Sequence, residues 1–252
     1  EKVKHRQWFR PFAPSILRED VKDWFAHDIG SPYMSFALSF KDGMAEKVPA
    51  VVHFDDTARL QTVKKEDNDK YHLKNVINLL LPNSNITELK YETKGAACSA
   101  LLATDLMDGD DELLIVNGDQ IIDIDLKEIR QFFSNKKFDA GVITFDSVHP
   151  RWSYVRINDN NDVIEVSEKT PISNHATAGF YYFKKGNFFI EGAQKMILKG
   201  ASVNDMYFVC PVFNQLVLDN KRIVAFNIPS DDYHSLMSPK LVDSYIKFLE
   251  GR

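Results

Sequence analysis

The order of apolar and polar residues divides most of this chain into short strands and amphipathic helices. From residue 86 onward, apolar or alternating runs predict strands at 86–89, 113–116, 140–145, 154–157, 163–166 and 178–183. Apolar residues at helical spacing predict helices at 95–106, 125–134, 188–199 and 241–249. This alternation predicts an α/β fold with a mainly parallel sheet, helices on both faces and ligands at the carboxyl ends of the strands.

The first 63 residues have a different pattern. Ser15 is a candidate N-cap for a helix over residues 16–25, and strands are predicted near residues 34–40, 48–53 and 58–63. The hydrophilic run at 64–70 is typical of a surface loop and, given the change of pattern, marks a boundary. The sequence therefore predicts two units, residues 1–70 and residues 71–252. The chain begins with Glu1 rather than Met, which fits a piece of a longer protein.

Composition narrows the functional classes. Hydrophobic residues at 44% and aromatic residues at 12% are enough for a packed core. A net charge of −5 is unlike that of a protein that binds nucleic acid through a basic surface, and no apolar run approaches the roughly 20 residues of a membrane span. Cys98 and Cys210 lack a CxxC or His-rich partner, so we expect a cytoplasmic protein without disulfides or a zinc site.

Asp119 is the strongest candidate for metal chemistry. It follows the apolar strand at 113–116 and the turn Asn117-Gly118, so we expect it at the carboxyl end of a buried strand. A carboxylate there suits a hard divalent cation that holds phosphate, such as Mg²⁺. An ordinary turn, with Asp125 as the N-cap of the next helix, explains the same residues equally well.

Two further segments carry candidate ligand-binding residues. Lys94, Gly95 and Ala96 join a strand to a helix, where backbone amides can approach a base or a phosphate, although small residues at a helix start more often serve packing. Glu168 and Lys169 end another strand as an acid beside a base. Because adjacent residues on an extended chain face opposite ways, one of them can contact a sugar hydroxyl and the other a phosphate, or both can simply be surface residues.

These segments and three others stand in the order found in one family, the sugar-1-phosphate nucleotidyltransferases, which residues 72–252 resemble. The matching segments are Thr93-Lys94-Gly95-Ala96-Ala97, Asn117-Gly118-Asp119-Gln120, Ser153-Tyr154, Glu168-Lys169-Thr170-Pro171-Ile172-Ser173, Thr177-Ala178-Gly179-Phe180-Tyr181-Tyr182-Phe183 and Tyr233-His234-Ser235-Leu236-Met237-Ser238-Pro239.

The resemblance implies a Rossmann-like sheet of the GT-A type with nucleoside triphosphate and sugar phosphate as substrates. It implies that Gly95 and its neighbours Lys94 and Ala96 contact the nucleobase, that Asp119 binds Mg²⁺, and that Glu168 holds the sugar. It also implies that Lys169 binds the sugar's phosphate and that Gly179 lines the sugar pocket.

The chain departs from that family in two places. The family's Gly-rich loop with its Arg, which grips the triphosphate, has no counterpart, because no GxGxR segment occurs in this sequence. Where the family often places a second metal-binding Asp, this chain has Val209-Cys210-Pro211-Val212-Phe213-Asn214, with Asp205 upstream as a substitute. We therefore expect weak or absent catalysis, because phosphoryl displacement depends on cations that neutralise developing charge.

The front of the chain, residues 1 to about 70, resembles the carboxy-terminal, YrdC-like domain of O-carbamoyltransferases. The matching segments are residues 3–14, 31–34 and 48–63. The resemblance implies an α+β fragment that binds carbamoyl phosphate and ATP. It suits Lys4, Arg6, Arg10 and Arg59 as anion ligands, whereas read without the family Lys4-His5-Arg6 is a basic surface stretch.

The leading hypothesis from the sequence is a join of two transferase fragments of surface-polysaccharide or sugar-modification metabolism. In it, the second fragment binds a nucleotide-sugar or a sugar phosphate. A carbamoyltransferase working through the first fragment is the rival, and a non-catalytic nucleotide-sugar-binding module is the third hypothesis. A glycosyltransferase with Asp123-Ile124-Asp125 as a DxD motif ranks last. Without the family's first β-α unit we expect aggregation or a homo-oligomer, unless residues 33–63 complete the sheet.

Overall fold

The computed structural model describes residues 38–41, 44–47, 49–53, 59–80, 84–107, 109–124, 126–133 and 137–250. The helix predicted at 16–25 and the residues Lys4, Arg6, Arg10 and Asp125 lie outside them.

The strands and helices predicted from residue 86 onward all have counterparts among the described residues, which also form three strands and one helix there that the sequence did not predict. The strands are β1 (Leu38–Lys41), β2 (Met44–Lys47), β3 (Pro49–His53), β4 (Arg59–Lys64), β5 (Ser84–Leu89), β6 (Leu113–Asn117), β7 (Gln120–Ile122), β8 (Ala140–Asp146), β9 (Ser153–Ile157), β10 (Val163–Glu168), β11 (His175–Phe183), β12 (Ile223–Ile228) and β13 (Tyr233–Ser235). The helices are α1 (Lys65–Tyr71), α2 (Leu73–Leu80), α3 (Ala96–Leu101), α4 (Leu126–Phe133), α5 (Gly186–Leu198), α6 (Val212–Leu218) and α7 (Pro239–Glu250). No helix among the described residues is long and apolar enough to cross a membrane.

The central strand of the main sheet is β11, and its neighbours run antiparallel to it. Tyr181 pairs with Ile115 of β6 and with Val142 of β8, so these two strands flank β11 on opposite edges. The parallel pairs that the structure describes are β8 with β12 and β4 with β5. The prediction of a mainly parallel sheet is therefore wrong, because the β9–β10 hairpin turns the chain back and delivers β11 in the antiparallel direction.

Helices cover both faces of this sheet, as predicted. Leu113 and Ile115 of β6 point into a core that includes α3, α5 and α6. Leu114 and Val116, the alternate residues of the same strand, point into a second core that includes α4. All four side chains are at most 1% exposed, so β6 is buried on both faces, as its apolar run predicts.

Strands from the front of the chain complete the sheet beside β6. β3 pairs antiparallel with β6 over residues 49–53, and β4 pairs with β3 and β5. The gap left by the family's first β-α unit is thus filled from residues 33–63. The charged run at 64–70, predicted as a loop, is helical from Lys65, because Asp67 packs into the interior and Lys65 pairs with Asp69 one turn away. The boundary at residue 70 stays a prediction.

Candidate functional site

A cleft of about 590 Å³ opens where several strands end. Asn117, the last residue of β6, lies in its wall together with Ser153, which begins β9, and Glu168, which ends β10. The segments 91–96 and 206–209 supply further wall residues. The cleft therefore lies at the carboxyl end of β6, where the sequence analysis placed ligand binding.

Glu168 and Lys169 both line this cleft. Glu168 is only 9% exposed, and its carboxylate accepts a hydrogen bond from the Ser153 hydroxyl. Lys169 is exposed and has a left-handed backbone with φ of 58°. This turn out of the strand brings two adjacent side chains into one cleft, whereas an extended chain would have pointed them to opposite faces. The site thus has a buried acid beside a cation.

The turn at Gly95 forms another wall and is held by the backbone of Tyr207. Tyr207 N–H donates to Lys94 O at 2.7 Å, and Ala97 N–H donates to Tyr207 O at 3.0 Å. A Cβ on Gly95 would lie 2.4 Å from Tyr207 O, so only glycine permits this approach. Gly95 and Ala96 line the cleft, whereas Lys94 is exposed and does not.

A cluster of buried polar side chains lies near the Glu168 end of the cleft, and Tyr181 of this cluster lines the cleft. The Tyr181 hydroxyl is 3.3 Å from the Thr177 hydroxyl, and burial raises the pKa of Tyr181 well above 10.0. Burial also raises the pKa of the Cys210 thiol well above 9.0, and the Glu168 carboxylate raises it further. Both groups are therefore neutral near pH 7. No local sequence pattern indicates this cluster, because its members come from segments far apart in the chain.

Asp119 is not among the residues that line the cleft; it lies two residues beyond the end of β6 and is 5% exposed. Its carbonyl accepts a hydrogen bond from Leu236 N–H at 2.8 Å, which fixes the turn against the end of β13. Tyr233 lies close to it: burial raises the pKa of Tyr233, the Asp119 carboxylate raises it further, and Arg151 opposes them. Asp119 and Arg151 therefore act on the same phenol.

The role of Asp119 as a carboxylate ligand of Mg²⁺ stays a prediction. The described residues contain no group of three or more His, Cys, Asp or Glu side chains that could hold a metal. Mg²⁺ commonly uses one or two carboxylates and takes its other ligands from water and substrate phosphates. Asp205 is exposed in a tight turn at 203–206, and the side chain of Asn214 is bonded to the backbone of β10.

Gly179 is not among the residues that line the cleft. Gly179 has φ of 62°, and a Cβ on it would lie 2.3 Å from Nδ2 of Asn117, so it stands behind the side chain that lines the cleft. The Arg59 backbone pairs with Val52 and Ser84 in the sheet, and its side chain lies outside the described part of the structure.

Sequence reasoning missed two cations of the cleft, Lys64 and Arg151. Lys64 is the last residue of β4 and pairs with Glu92 at 3.7 Å. Arg151 comes two residues before the Ser153-Tyr154 segment. Its position next to a matched segment was the available signal.

Models of known protein families match both parts of the chain. The family model described as nucleotidyl transferase matches residues 49–209. The chain belongs to the nucleotidyl transferase family. A second family model, carbamoyltransferase C-terminus, matches residues 1–85.

Solved structures of nucleotidyl transferases share this fold. The nucleoside-diphosphate-sugar pyrophosphorylase from Vibrio cholerae RC9 superposes with a TM-score of 0.66 at 19% identity, over 76% of this chain and 81% of that one. The inositol-1-phosphate CTP transferase from T. maritima gives a TM-score of 0.57 at 16% identity, over 75% of this chain and 74% of that one. The GT-A-like α/β fold implied by the family resemblance is thereby confirmed.

Curated relatives match a shorter part of the chain. Nodulation protein NolO of Bradyrhizobium diazoefficiens is 40% identical over 72 residues, 27% of this chain and 13% of that protein. Nodulation protein U of Sinorhizobium fredii is 43% identical over 68 residues, 27% of this chain and 12% of that protein. The resemblance to both families is confirmed, and the chain spans only a small fraction of these relatives.

Proposed function

We propose that this nucleotidyl transferase binds a nucleoside triphosphate or nucleotide-sugar together with a sugar phosphate in the described cleft. The observation that carries the proposal is the meeting of Glu168, Lys169 and the Gly95 turn in one cleft at the end of β6. A buried carboxylate suits sugar hydroxyls, an exposed ammonium suits a phosphate, and a turn held open by glycine suits the flat face of a base.

In this proposal each residue has one role. The backbone at Gly95 and Ala96 contacts the nucleobase with Lys94 at its rim, Glu168 accepts hydrogen bonds from sugar hydroxyls, and Lys169 binds the sugar's phosphate. Gly179 leaves room for Asn117 at the sugar end. Asp119 holds Mg²⁺, which when bound neutralises phosphate charge.

The reaction is attack of a sugar-1-phosphate oxygen on the α-phosphorus of the triphosphate. The new P–O bond forms as the bond to the β-phosphate breaks, and pyrophosphate leaves. The protein's part is to hold both substrates at reacting distance and to supply positive charge. Because the GxGxR segment is absent from the sequence, we infer slow turnover. A role in surface-polysaccharide or sugar-modification metabolism, a cytoplasmic location, a homo-oligomer and the lack of nucleic-acid and membrane partners stay predictions.

A thermal-shift and titration screen tests the proposal. UTP, CTP, dTTP, ATP, GTP and their sugar conjugates are titrated with MgCl₂, because a ligand of the native state raises the melting temperature. Glu168→Gln is compared with Glu165→Gln, which removes an acid from the same strand that pairs with Arg156. We expect one nucleotide-sugar to bind, and Glu168→Gln to weaken it by about 10-fold or more, since hydrogen bonds to charged groups contribute roughly 1.5–3 kcal/mol.

Two results would contradict the assignment of the cleft. If no nucleotide or conjugate shifts the melting temperature, or if both glutamate variants bind alike, the assignment of the cleft fails. Asp119→Asn, compared with Asp123→Asn, tests the metal role through the Mg²⁺ dependence of binding. Saturable binding without pyrophosphate release would favour the non-catalytic binding module over an enzyme.

Carbamoyl transfer is the second candidate, favoured by the match of residues 1–85 to the carboxy-terminal carbamoyltransferase family. It assigns Lys4, Arg6, Arg10 and Arg59 to the anions carbamoyl phosphate and ATP. It predicts ATP turnover that needs carbamoyl phosphate, is lost in Arg10→Ala and is unchanged in Asp119→Asn. Turnover that is insensitive to Arg10→Ala would exclude it.

A further inference from the structure

Two cationic residues lie at the open end of the β9–β10 hairpin. Ser153 pairs with Glu168 across the hairpin, and just beyond this pair Lys169 N–H donates to Trp152 O at 3.0 Å. Arg151 and Lys169 therefore come from adjacent backbone segments, and both side chains line the cleft.

Each cation lies on an aromatic ring rather than on a carboxylate. The guanidinium carbon of Arg151 is 4.7 Å from the centre of the Trp152 ring, and Lys169 Nζ is 4.7 Å from the centre of the Phe208 ring. Among the described residues neither cation forms a salt bridge. A guanidinium stacked on a ring keeps its in-plane N–H donors available for a planar pair of oxygens.

The segment that carries Arg151 is held in place before any ligand binds. Arg151 N–H donates to Nδ1 of His149 at 3.2 Å, and the Tyr154 hydroxyl donates to His149 O at 2.6 Å. Trp152 is 6% exposed and packs edge-on against Phe145 and Tyr233. The ring under the guanidinium is thus fixed by the core, which lowers the entropy lost when an anion binds.

We propose that Arg151 binds the diphosphate of the nucleotide ligand by two parallel N–H···O hydrogen bonds, next to the phosphate held by Lys169. This assignment rests on the proposed function. A nucleoside diphosphate sugar has two adjacent phosphates, and the hairpin end supplies two cations to one cleft from adjacent backbone segments.

The test compares three arginine variants with two probes. Arg151→Gln removes the charge, Arg151→Lys keeps the charge without the fork, and Arg156→Gln removes an arginine of β9 that pairs with Glu165 instead. The probes are inorganic pyrophosphate and the nucleotide-sugar found in the screen, both titrated calorimetrically with MgCl₂. We expect Arg151→Gln to weaken both by about 10- to 100-fold, Arg151→Lys to recover part of the loss, and Arg156→Gln to match wild type.

The outcomes separate this inference from the proposed function. If wild type binds the nucleotide-sugar and Arg151→Gln binds it as well as Arg156→Gln does, the Arg151 assignment is overturned and the cleft assignment stands. If wild type binds pyrophosphate but no nucleotide, and Arg151→Gln abolishes that binding, the anion site stands and the proposed function fails. If wild type binds neither probe, both are wrong. Melting temperatures of the three variants identify any that fails to fold.

Discussion

The side-chain amide of Asn214 forms hydrogen bonds with both the N–H and the C=O of Val166. Val166 N–H donates to Asn214 Oδ1 at 2.8 Å, and Asn214 Nδ2 donates to Val166 O at 2.8 Å. Val166 lies on β10, which ends the main sheet. One side chain of α6 thus takes the place of a neighbouring strand and covers the sheet edge at this point.

Asn214→Ala is therefore expected to reduce the free energy of unfolding by about 1–3 kcal/mol, since a partly buried backbone N–H and C=O both lose their partner. Urea denaturation followed by circular dichroism measures this loss. Asn160→Ala, in the exposed hairpin turn, is the control and should unfold like wild type. An Asn214→Ala protein as stable as that control would show that water replaces the amide.

Gly95→Ala is expected to be severely destabilising. Gly95 has φ of 106° and ψ of 174°, a region essentially reserved for glycine, and the new Cβ would lie 2.4 Å from the carbonyl oxygen of Tyr207. Gly200→Ala is the matched control, because Gly200 has φ of 63° and nothing within 4 Å of its Cβ position. The control should lose only about 1–2 kcal/mol of unfolding free energy. Equal losses of unfolding free energy in the two variants would mean that the backbone around Gly95 moves to accommodate the new Cβ.

Gly179→Ala is expected to alter ligand binding. Its Cβ would lie 2.3 Å from Nδ2 of Asn117, the far end of a flexible side chain that lines the cleft. The Asn117 amide must then move, and we expect the affinity for the nucleotide-sugar to change by more than in Gly200→Ala. Calorimetric titration of the two variants measures the difference. Matched affinities would show that the Asn117 amide does not contact the ligand.

Stability should fall at alkaline pH because of buried acids, among them Cys210, Tyr181 and Tyr233. Burial raises the pKa of Cys210 and of Tyr181 above their ordinary values of 9.0 and 10.0. Above those values the unfolded chain loses protons that the folded protein keeps, so the stabilisation present at lower pH is lost as pH rises. Each group should contribute a slope of about 1.4 kcal/mol per pH unit until the folded pKa is reached.

Urea unfolding at several values between pH 7.5 and pH 10.5 checks this sign. Cys210→Ala should flatten the decline from about pH 9, and Tyr181→Phe from about pH 10. Cys98→Ala, at a less buried thiol, is the comparison and should flatten it less. In native protein Cys98 should also react with a disulfide reagent before Cys210 does. Parallel pH profiles in all variants would contradict the prediction.

The local pattern of apolar residues predicted the strands and helices whose buried faces are clear from their spacing. β6, β8 and α5 appear within one or two residues of their predicted bounds, since their apolar spacing matches one buried stripe or two buried faces. α6 and β12 were missed. The seven residues of α6 are too few to reveal a helical period, and their two polar positions, Asn214 and Gln215, are adjacent. The helix packs against α5 and β10.

The direction of β11 and the buried contacts around the cleft depend on residues far apart in the chain, so local patterns did not predict them. The sequence indicated β11 but not that it runs antiparallel between β6 and β8, because direction is set by how the β9–β10 hairpin returns the chain. Asp119, Glu168 and Lys169 could be named from neighbouring residues. The Tyr207 clamp on Gly95 joins residues 112 apart, and no local pattern carries that information.

Arg151 and Lys169, the cations that lie on aromatic rings, also affect the rate at which an anion binds in the cleft. The whole chain carries a net charge of −5, so at low ionic strength it repels a phosphate ligand at long range. Arg151 and Lys169 attract the ligand only at short range. Near 0.15 M salt the screening length is about 8 Å, which removes much of the distant repulsion and little of the close attraction. Added salt should therefore first accelerate association, and only at higher concentration shorten the lifetime of the complex.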